Sequence, residues 1–453
     1  MILILVVIGI AVAAVGFFVL RPRVGVGRGL EAQSLGDRVL VIVPHPDDET
    51  LGAGGTSHAL ARSGARVRIV IVTAGDAYKR AAQHMRKGRL DAAVYRDLGE
   101  LRHTEVLKAA TALGLKPSDV TCLGFADGST NTLWNHSWDE EHLHVGRNGA
   151  RDVPYLWAYR PGEPQCGEGL ASDLVAIVQD FDPTAVIGPD ADETHHDHWG
   201  TAAFVTYALD EAGYSGQRLT FAVHYPAFPY PLLRLPKSAL APPGGLAGIG
   251  LEWHDFALEG VDEAAKERAI DVYRSQTAMP DLALFMKAFV RRNELFASRE
   301  TPRALHVATD AMPSEGTSGT VSVLPRGIRV PGLDLLTGGT DVVALRLVRG
   351  PATLWVGLRC AAPAAARGRF QLGMRLIGGA KPPQRIDLTV KGGVVSAGRV
   401  SDDDLVPGKL HAHAEGDTMW ISMPASVLDG RTMCMVGAAG GSTNVTVWRD
   451  ARL

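Results

Sequence analysis

The stretch Arg38-Val39-Leu40-Val41-Ile42-Val43-Pro44-His45-Pro46-Asp47-Asp48-Glu49 decides the fold. Its first half is an unbroken apolar run closed by proline, the pattern of a strand buried on both faces of a parallel sheet. Its second half sets an imidazole and three carboxylates where that strand ends. In open α/β sheets ligands bind outside the carboxyl ends of the strands, so a site is expected at this turn. Working outward, the pattern predicts a helix over 50–62 stopped by Gly64, a second buried strand over 66–73, and a largely helical stretch over 81–113 capped by Gly114. Strands over 120–124, 185–188 and 219–224 follow, interleaved with helices over 170–180 and 201–212. Such alternation predicts an α/β domain with a doubly wound, mostly parallel sheet covered by helices on both faces.

Two segments interrupt that rhythm: 127–165, rich in Trp, His, Asn and Gly, and 225–250, crowded with proline. Long loops in a compact domain are commonly functional rims, and mere coverings of a helix are the plainer alternative. Beyond about 298 the helical patterns stop. Alternating segments over 341–349, 352–360, 369–377, 410–423 and 444–449, separated by Gly, Pro and Asp turns, predict a C-terminal all-β, sandwich-like module. The chain thus divides into an α/β domain over 38–300 and a β-rich accessory domain over 301–453. The α/β part is expected to bury its own core without the module.

Residues 1–20 carry no charged side chain. At a rise of about 1.5 Å per residue the run matches a hydrocarbon core of about 30 Å. Arg21, Arg23 and Arg28 follow the run rather than precede it. It reads as a transmembrane anchor, with 21–37 as linker. The positive-inside rule places the main body of this single-pass membrane protein in the cytoplasm, and an atypical export signal is the alternative that puts it outside. Across 453 residues, 46 Lys and Arg against 49 Asp and Glu leave a net charge of −3, without the basic surplus of a nucleic-acid partner. A chain that is 46% hydrophobic and 21% charged is not a disordered one. Cys122, Cys166, Cys360 and Cys434 form no CxxC pair, which excludes a disulfide scaffold and a thiolate zinc site.

A second cluster, His195-His196-Asp197-His198, follows the strand ending near 188 and precedes a helix, so it lies on the same sheet edge as the first. Imidazole nitrogens and a carboxylate are the usual ligands of a catalytic zinc that keeps one position open for water. Adjacent Asp47 and Asp48 cannot point the same way, so one suits metal binding while the other faces the bound water as general base. A histidine of the second cluster suits oxyanion stabilisation or protonation of a leaving amine, with a neighbouring carboxylate to fix its tautomer. Each cluster alone has a plainer reading, acids capping a helix or a solvated loop. Together on one edge they point to an active site.

With both clusters in place, the sequence resembles the PIG-L or LmbE-like family of zinc-dependent N-deacetylases. The resemblance rests on Pro44 to Glu49 and on His195, Asp197 and His198. It extends through Thr73-Ala74-Gly75-Asp76, Arg102 with Glu105, Leu123-Gly124-Phe125-Ala126-Asp127-Gly128 and Tyr273-Arg274-Ser275-Gln276. It covers about 39–300 and not the β module. The resemblance implies a Rossmann-like fold and one zinc ion held by His45, Asp48 and His198. It further implies Asp47 as general base, His195 as the catalytic histidine facing the substrate carbonyl, and Asp197 as its orienting carboxylate. Arg102 and Asp127 match substrate-contacting positions, with a structural salt bridge as the alternative for Arg102. Many members carry proline where this chain has His196, which reads as a spacer. Members remove acetyl from N-acetylglucosamine units attached to inositol, lipid, thiol-cofactor precursors or antibiotics. The implied reaction is therefore hydrolysis of a C–N bond in an amino-sugar or glycoconjugate substrate, with acetate release and the aglycone left open.

Trp134, Trp138, Trp157 and Tyr159 suit either stacking on sugar faces or packing on one another, whereas Trp355, Trp420 and Trp448 read as core of the β module. A dinucleotide-binding reading of Gly52-Ala53-Gly54-Gly55 fails, because Ser57 stands at the third glycine position and the glycines lie inside the predicted helix. A two-metal phosphoesterase would want more bridging carboxylates. The non-enzymatic alternative is a membrane-tethered carbohydrate-binding protein with a catalytically inactive deacetylase-like domain. Intact acid, base and ligand types at every motif position speak against it.

Overall fold

The computed structural model describes residues 27–246, 249–314, 317, 319–323, 342–360, 368–379, 383–400, 409–440 and 448–453. The apolar run 1–20 lies outside the described residues, among which no helix is long and apolar enough to cross a membrane. The expected linker over 21–37 is structured where it is described. Arg28–Gly29 form a short strand (β1), Ala32–Leu35 a 3-10 turn, and Leu30 and Leu35 are buried in the core.

The decisive stretch folds as its apolar run dictates. Arg38–Val43 (β2) pairs in parallel with Arg66–Thr73 (β3) on one side and with Ala185–Pro189 (β5) on the other. Val39, Val41 and Val43 point into one core, while Leu40 and Ile42 point into a second core on the opposite face. Both faces are thus covered, which is why no polar residue interrupts the strand. Val120–Phe125 (β4), Gln217–Phe221 (β6), Leu251–Ala257 (β7) and Asn293–Arg299 (β8) complete an eight-stranded sheet in the order β1-β7-β8-β6-β5-β2-β3-β4. Only β8 runs antiparallel to its neighbours, so the sheet is mixed although mostly parallel. The strand order reverses between β2 and β5, and the two histidine clusters follow these two strands at that switch point.

The helix after β2 spans Asp48–Ser63 and is kinked at Ala53, whose φ of −141° is not helical. Its glycines serve close approach. A Cβ on Gly52 would stand 2.4 Å from the Phe221 ring, and one on Gly55 would stand 2.5 Å from Leu258. The stretch expected as one helix over 81–113 is two, Lys79–Met85 and Ala92–Ala112. Asp91 caps the second by accepting from the backbone of Ala93 and Val94 at 3.1 Å each.

Among the described residues the C-terminal part is β, in two sheets, apart from the 3-10 turn Ala425–Leu428. Leu305–His306 (β9), Thr320–Val323 (β10), Val342–Arg349 (β11), Thr353–Cys360 (β12), Arg369–Ile377 (β13), Gln384–Lys391 (β14), Val394–Val400 (β15), His411–Glu415 (β16), Thr418–Pro424 (β17), Met433–Gly440 (β18) and Trp448–Arg452 (β19) are its strands. One sheet runs β10-β11-β12-β17-β16 with β9 beside β11, the other β15-β14-β13-β18-β19, and residues of both fill one shared core. The stretch expected over 410–423 is a hairpin of two strands, and most of that expected over 444–449 lies outside the described residues. The sequence leads one to expect an α/β domain that buries its core alone, but part of that core is shared with the module. Ile377, Met435 and Trp448 of the module join Trp134, Phe204 and Tyr207 in the core on one face of the large sheet.

Candidate active site

The turn after β2 is held from below and above. Pro44 accepts from both the backbone and the hydroxyl of Thr73 at 2.9 Å, which ties the end of β2 to the end of β3. Asp47 then takes a φ of 128°, a conformation L side chains rarely adopt, and Asp48 opens the helix. Strain of this kind persists only where the surroundings fix it. Buried Glu49 supplies that fixing: it accepts from the Asp47 backbone at 2.9 Å and from the hydroxyls of Thr50 and Tyr273.

The two adjacent aspartates have different partners. Asp48 Oδ2 lies 3.0 Å from His45 Nδ1 and 3.3 Å from His198 Nε2. Burial alone would raise this carboxyl, but the facing His198 and His45 hold it well below the ordinary range. Asp47 instead accepts from Arg102 Nη2 at 2.8 Å. Burial pushes the Asp47 carboxyl up to about 8, against the pull of Arg102. Arg102 is itself buried and also donates to the carbonyls of Pro46 and, at 3.0 Å, Gly75.

The second cluster starts the helix His196–Glu211, with His195 as its N-cap. His195 Nδ1 accepts from the backbone of Asp197 at 3.3 Å, which leaves the ring proton on Nε2. Burial and the neighbouring His45 and His198 lower this imidazole to about 3, so it is neutral. The resemblance implied that Asp197 orients His195, but the Asp197 carboxylate is turned to other partners. Its carboxylate accepts from the backbone of Gly128 at 2.6 Å and from the backbone and hydroxyl of Thr130 at 3.0 and 2.9 Å, and it faces His45 Nε2 at 3.0 Å. Asp127 also faces His45 Nε2, at 3.3 Å, and is held by the backbone of Ala77 at 3.0 Å.

Two residues not singled out from sequence belong to the site. Glu193 Oε2 stands 3.0 Å from His198 Nδ1 and accepts from the backbone of His224 at 2.7 Å. Buried His198 is thereby held between Glu193 and Asp48. Burial opposes its charge, yet these two carboxylates raise it to about 10. His224, just beyond β6, packs edge-on to His198 with ring centroids 4.7 Å apart. Asp48, His198 and His224 each offer a ligand atom within 4.8 Å of one another, and so do His45, His195 and His198. His196 is exposed, stacks on His195 at 4.7 Å and lines the cavity as a neighbour of the cluster.

This donor set fits a divalent cation. The carboxylates of Asp47, Asp48, Asp127, Glu193 and Asp197 converge where Arg102 is the one permanent cation among the residues just described, and they drive His45 and His198 toward protonation. A cation relieves that imbalance, and a nitrogen and oxygen donor set suits zinc. The cavity above the cluster has a volume of about 610 Å³. Leu51, Leu282, Phe285 and Met286 form an apolar side, and His144 and Arg147 stand on a polar one. Trp134, Trp138, Trp157 and Tyr159 do not line it. Trp134 is buried against Trp138, Phe204, Tyr207 and Trp448, and Trp157 stacks between Tyr155 and His103. Among the other motif landmarks, Gly128 and Gln276 line the cavity, while Glu105 accepts from the backbone and hydroxyl of Ser275 at 2.7 and 2.6 Å. Asp76 accepts from Tyr155, Asn148 and the backbone of Asp127.

Residues 40–209 match the family model described as PIG-L: GlcNAc-PI de-N-acetylase. A 1D-myo-inositol 2-acetamido-2-deoxy-alpha-D-glucopyranoside deacetylase from Mycobacterium sp. (strain KMS) is 32% identical over 177 residues, covering 39% of this chain and 51% of that protein. A protein of the same description from Rhodococcus opacus (strain B4) is 28% identical over 183 residues, covering 39% and 54%. The chain spans about half the length of the curated relatives it matches. Among solved structures, the A40926 pseudoaglycone deacetylase aligns over 58% of this chain and 96% of its own at 20% identity and a TM-score of 0.38. The N,N'-diacetylchitobiose deacetylase from Pyrococcus horikoshii aligns over 59% and 87% at 20% identity and a TM-score of 0.36.

Proposed function

With residues 40–209 identified as a PIG-L domain, we propose that this chain is a metal-dependent N-deacetylase acting on an N-acetylglucosamine-type amino sugar, free or linked to inositol, lipid or a natural product. The observation that carries the reading is the Asp48 carboxylate held between His45 and His198 while the adjacent, strained Asp47 is committed to Arg102. His45, Asp48 and His198 would hold the cation. Bound there, zinc supplies a Lewis acid for the amide carbonyl and lowers the pKa of a water.

Asp47 is the proton acceptor as water oxygen adds to the acetamide carbon. Burial raises the basicity of this carboxyl, which takes that proton and delivers it to the departing amine nitrogen. Arg102 limits the rise by favouring the ionised form. His195, neutral at a helix N-terminus with its proton on Nε2, donates toward the acetamide oxygen as negative charge develops. The C–N bond breaks to give acetate and the free amino sugar. The apolar side of the cavity suits the acetyl methyl or the sugar's hydrophobic face, and Asp127 suits a sugar hydroxyl. From the apolar run 1–20 and the arginines after it, we further propose a single-pass membrane protein with its catalytic domain on the cytoplasmic side.

The test is zinc content per chain together with acetate release from a panel of N-acetylated amino sugars. Asp48→Ala and His198→Ala are expected to lose both zinc and turnover. Asp47→Ala is expected to keep zinc and lose turnover by roughly 10²- to 10⁴-fold. An Asp47→Ala protein that lacks metal, or one that is fully active, overturns the assignment.

A further inference from the structure

We propose that the C-terminal β module is a positioning element of the active site, with Arg449 of β19 acting through Asp192. The proposal rests on the deacetylase reading for what the site does, and on the following contacts for how it is held. Arg449 is 3% exposed, and its guanidinium meets Asp192 Oδ1. The other oxygen of Asp192 meets Arg299 Nη2 at 2.9 Å. Asp192 is pinned again by its backbone, which donates to Asp190 Oδ1 at 2.9 Å. The next residue is Glu193, whose carboxylate stands 3.0 Å from His198 Nδ1. One peptide bond therefore separates the module's anchor point from the carboxylate that faces His198.

A second grip reaches the site from the other side. Arg375 donates to the carbonyl of Trp134 at 3.1 Å and Arg385 to that of Asn135 at 2.5 Å. These are carbonyls at the C-terminal end of the short helix Thr130–Asn135, where cationic donors satisfy otherwise unpaired groups. At the opposite end of that helix Thr130 holds Asp197, which faces His45. Burying arginines is costly unless each is paired, and what a buried pair secures is geometry more than stability. A module merely tethered beside the catalytic domain would have no use for such pairs at two points leading to His198 and His45.

The experiment compares the full-length protein with Arg449→Met and Arg449→Lys. Three quantities are read: hydrogen exchange of the 190–198 amides, zinc affinity by chelator competition, and kcat with KM. Arg449→Met is expected to speed exchange at Asp192, Glu193 and His198. Direct partners of ligands change metal affinity or activity by about 10–100-fold; one residue further out, a loss of roughly 3–30-fold in zinc affinity and kcat is expected, with KM little changed. Arg449→Lys, which keeps the charge without the fork, should recover most of both. A folded Arg449→Met protein with wild-type exchange, zinc affinity and kcat, altered in thermal midpoint alone, overturns the proposal. Where Arg449→Met does not fold, exchange and zinc affinity of Arg449→Lys decide: a small increase confined to 190–198 supports the proposal, and none refutes it. A wild-type protein that neither binds zinc nor releases acetate counts against the deacetylase reading, while the exchange comparison still decides this one.

Discussion

Replacing Glu294 by alanine removes a carboxylate on which the kinked helix behind the site depends. The kink at Ala53 interrupts the helical hydrogen bonding, and Glu294 of β8 takes up the freed donors, accepting from the backbone of Gly55 at 2.8 Å and Thr56 at 2.7 Å. The same carboxylate meets Lys266 Nζ at 2.6 Å, and that ammonium also donates to the Leu51 carbonyl at 2.8 Å in the turn carrying Asp48. Both side chains are essentially unexposed. Removing one partner of a buried ion pair costs about 3–5 kcal/mol, and each orphaned buried donor about 1–3 kcal/mol. These terms do not add, because Lys266, whose pKa burial already lowers, can shed its proton. The expected loss for Glu294→Ala is therefore about 4 kcal/mol. Lys266→Met with Glu294→Gln removes both charges and keeps an acceptor, so it should recover about 2 kcal/mol of that loss. Urea unfolding followed by tryptophan fluorescence reads both as midpoint shifts at unchanged slope. A Glu294→Ala protein within about 1 kcal/mol of wild type, or a double variant no better than the single one, refutes the reasoning.

Glu193→Gln should weaken zinc binding by roughly 10–100-fold through the His198 ring its carboxylate faces, and chelator competition giving wild-type affinity would sink that role. Gly52→Ala would set a Cβ 2.4 Å from a Phe221 ring that is 1% exposed and has nowhere to turn. The expected cost is about 1–3 kcal/mol in urea unfolding, and a neutral result would mean the contact relaxes freely. Burial, with Asp450 beside it, pushes Asp210 up from 3.8 to about 7, so the folded state holds this proton more tightly than the unfolded one. Its contribution to stability is then present at low pH and falls as pH rises from about 4 to 7. Asp210→Asn should flatten that fall in unfolding midpoints measured at both ends of the window, and an unchanged pH profile contradicts the assignment.

The parts of the fold legible in the sequence are those whose burial is written locally. β2 and β3 are covered on both faces, so their apolar runs need no context. β7 and β8 stay hidden because Glu252, His254, Asp255 and Glu294 interrupt any apolar pattern. Glu294 is nonetheless fully buried, since Lys266, twenty-eight positions earlier, neutralises it. β18 offers no period because Gly437, Ala438 and Ala439 carry little side chain. The structure supplies the reason for small residues here: Gly437 pairs with Gly373, whose Cβ would fall 2.2 Å from the ring of Trp448. That ring then reaches the core it shares with Trp134 and Tyr207. A seam between domains selects residues for the partner's shape, and a periodicity search within one strand cannot see the partner.

For the site, types and edges were legible while directions were not. His45, Asp48 and His198 come together because both motifs follow strands at the switch point, a relation that strand order alone enforces. The direction of Asp197 depends on something finer. His195 caps the helix in extended backbone while Asp197 lies in its first turn, so helical spacing does not fix the angle between the two side chains. Asp197 faces His45 and the Gly128–Thr130 backbone, and what His195 receives from it is its amide proton. The tautomer of His195 is thus set by the helix N-terminus it caps. A backbone donor cannot take back a proton as a carboxylate can, so it holds the imidazole neutral, with Nε2–H available to an oxygen gaining charge.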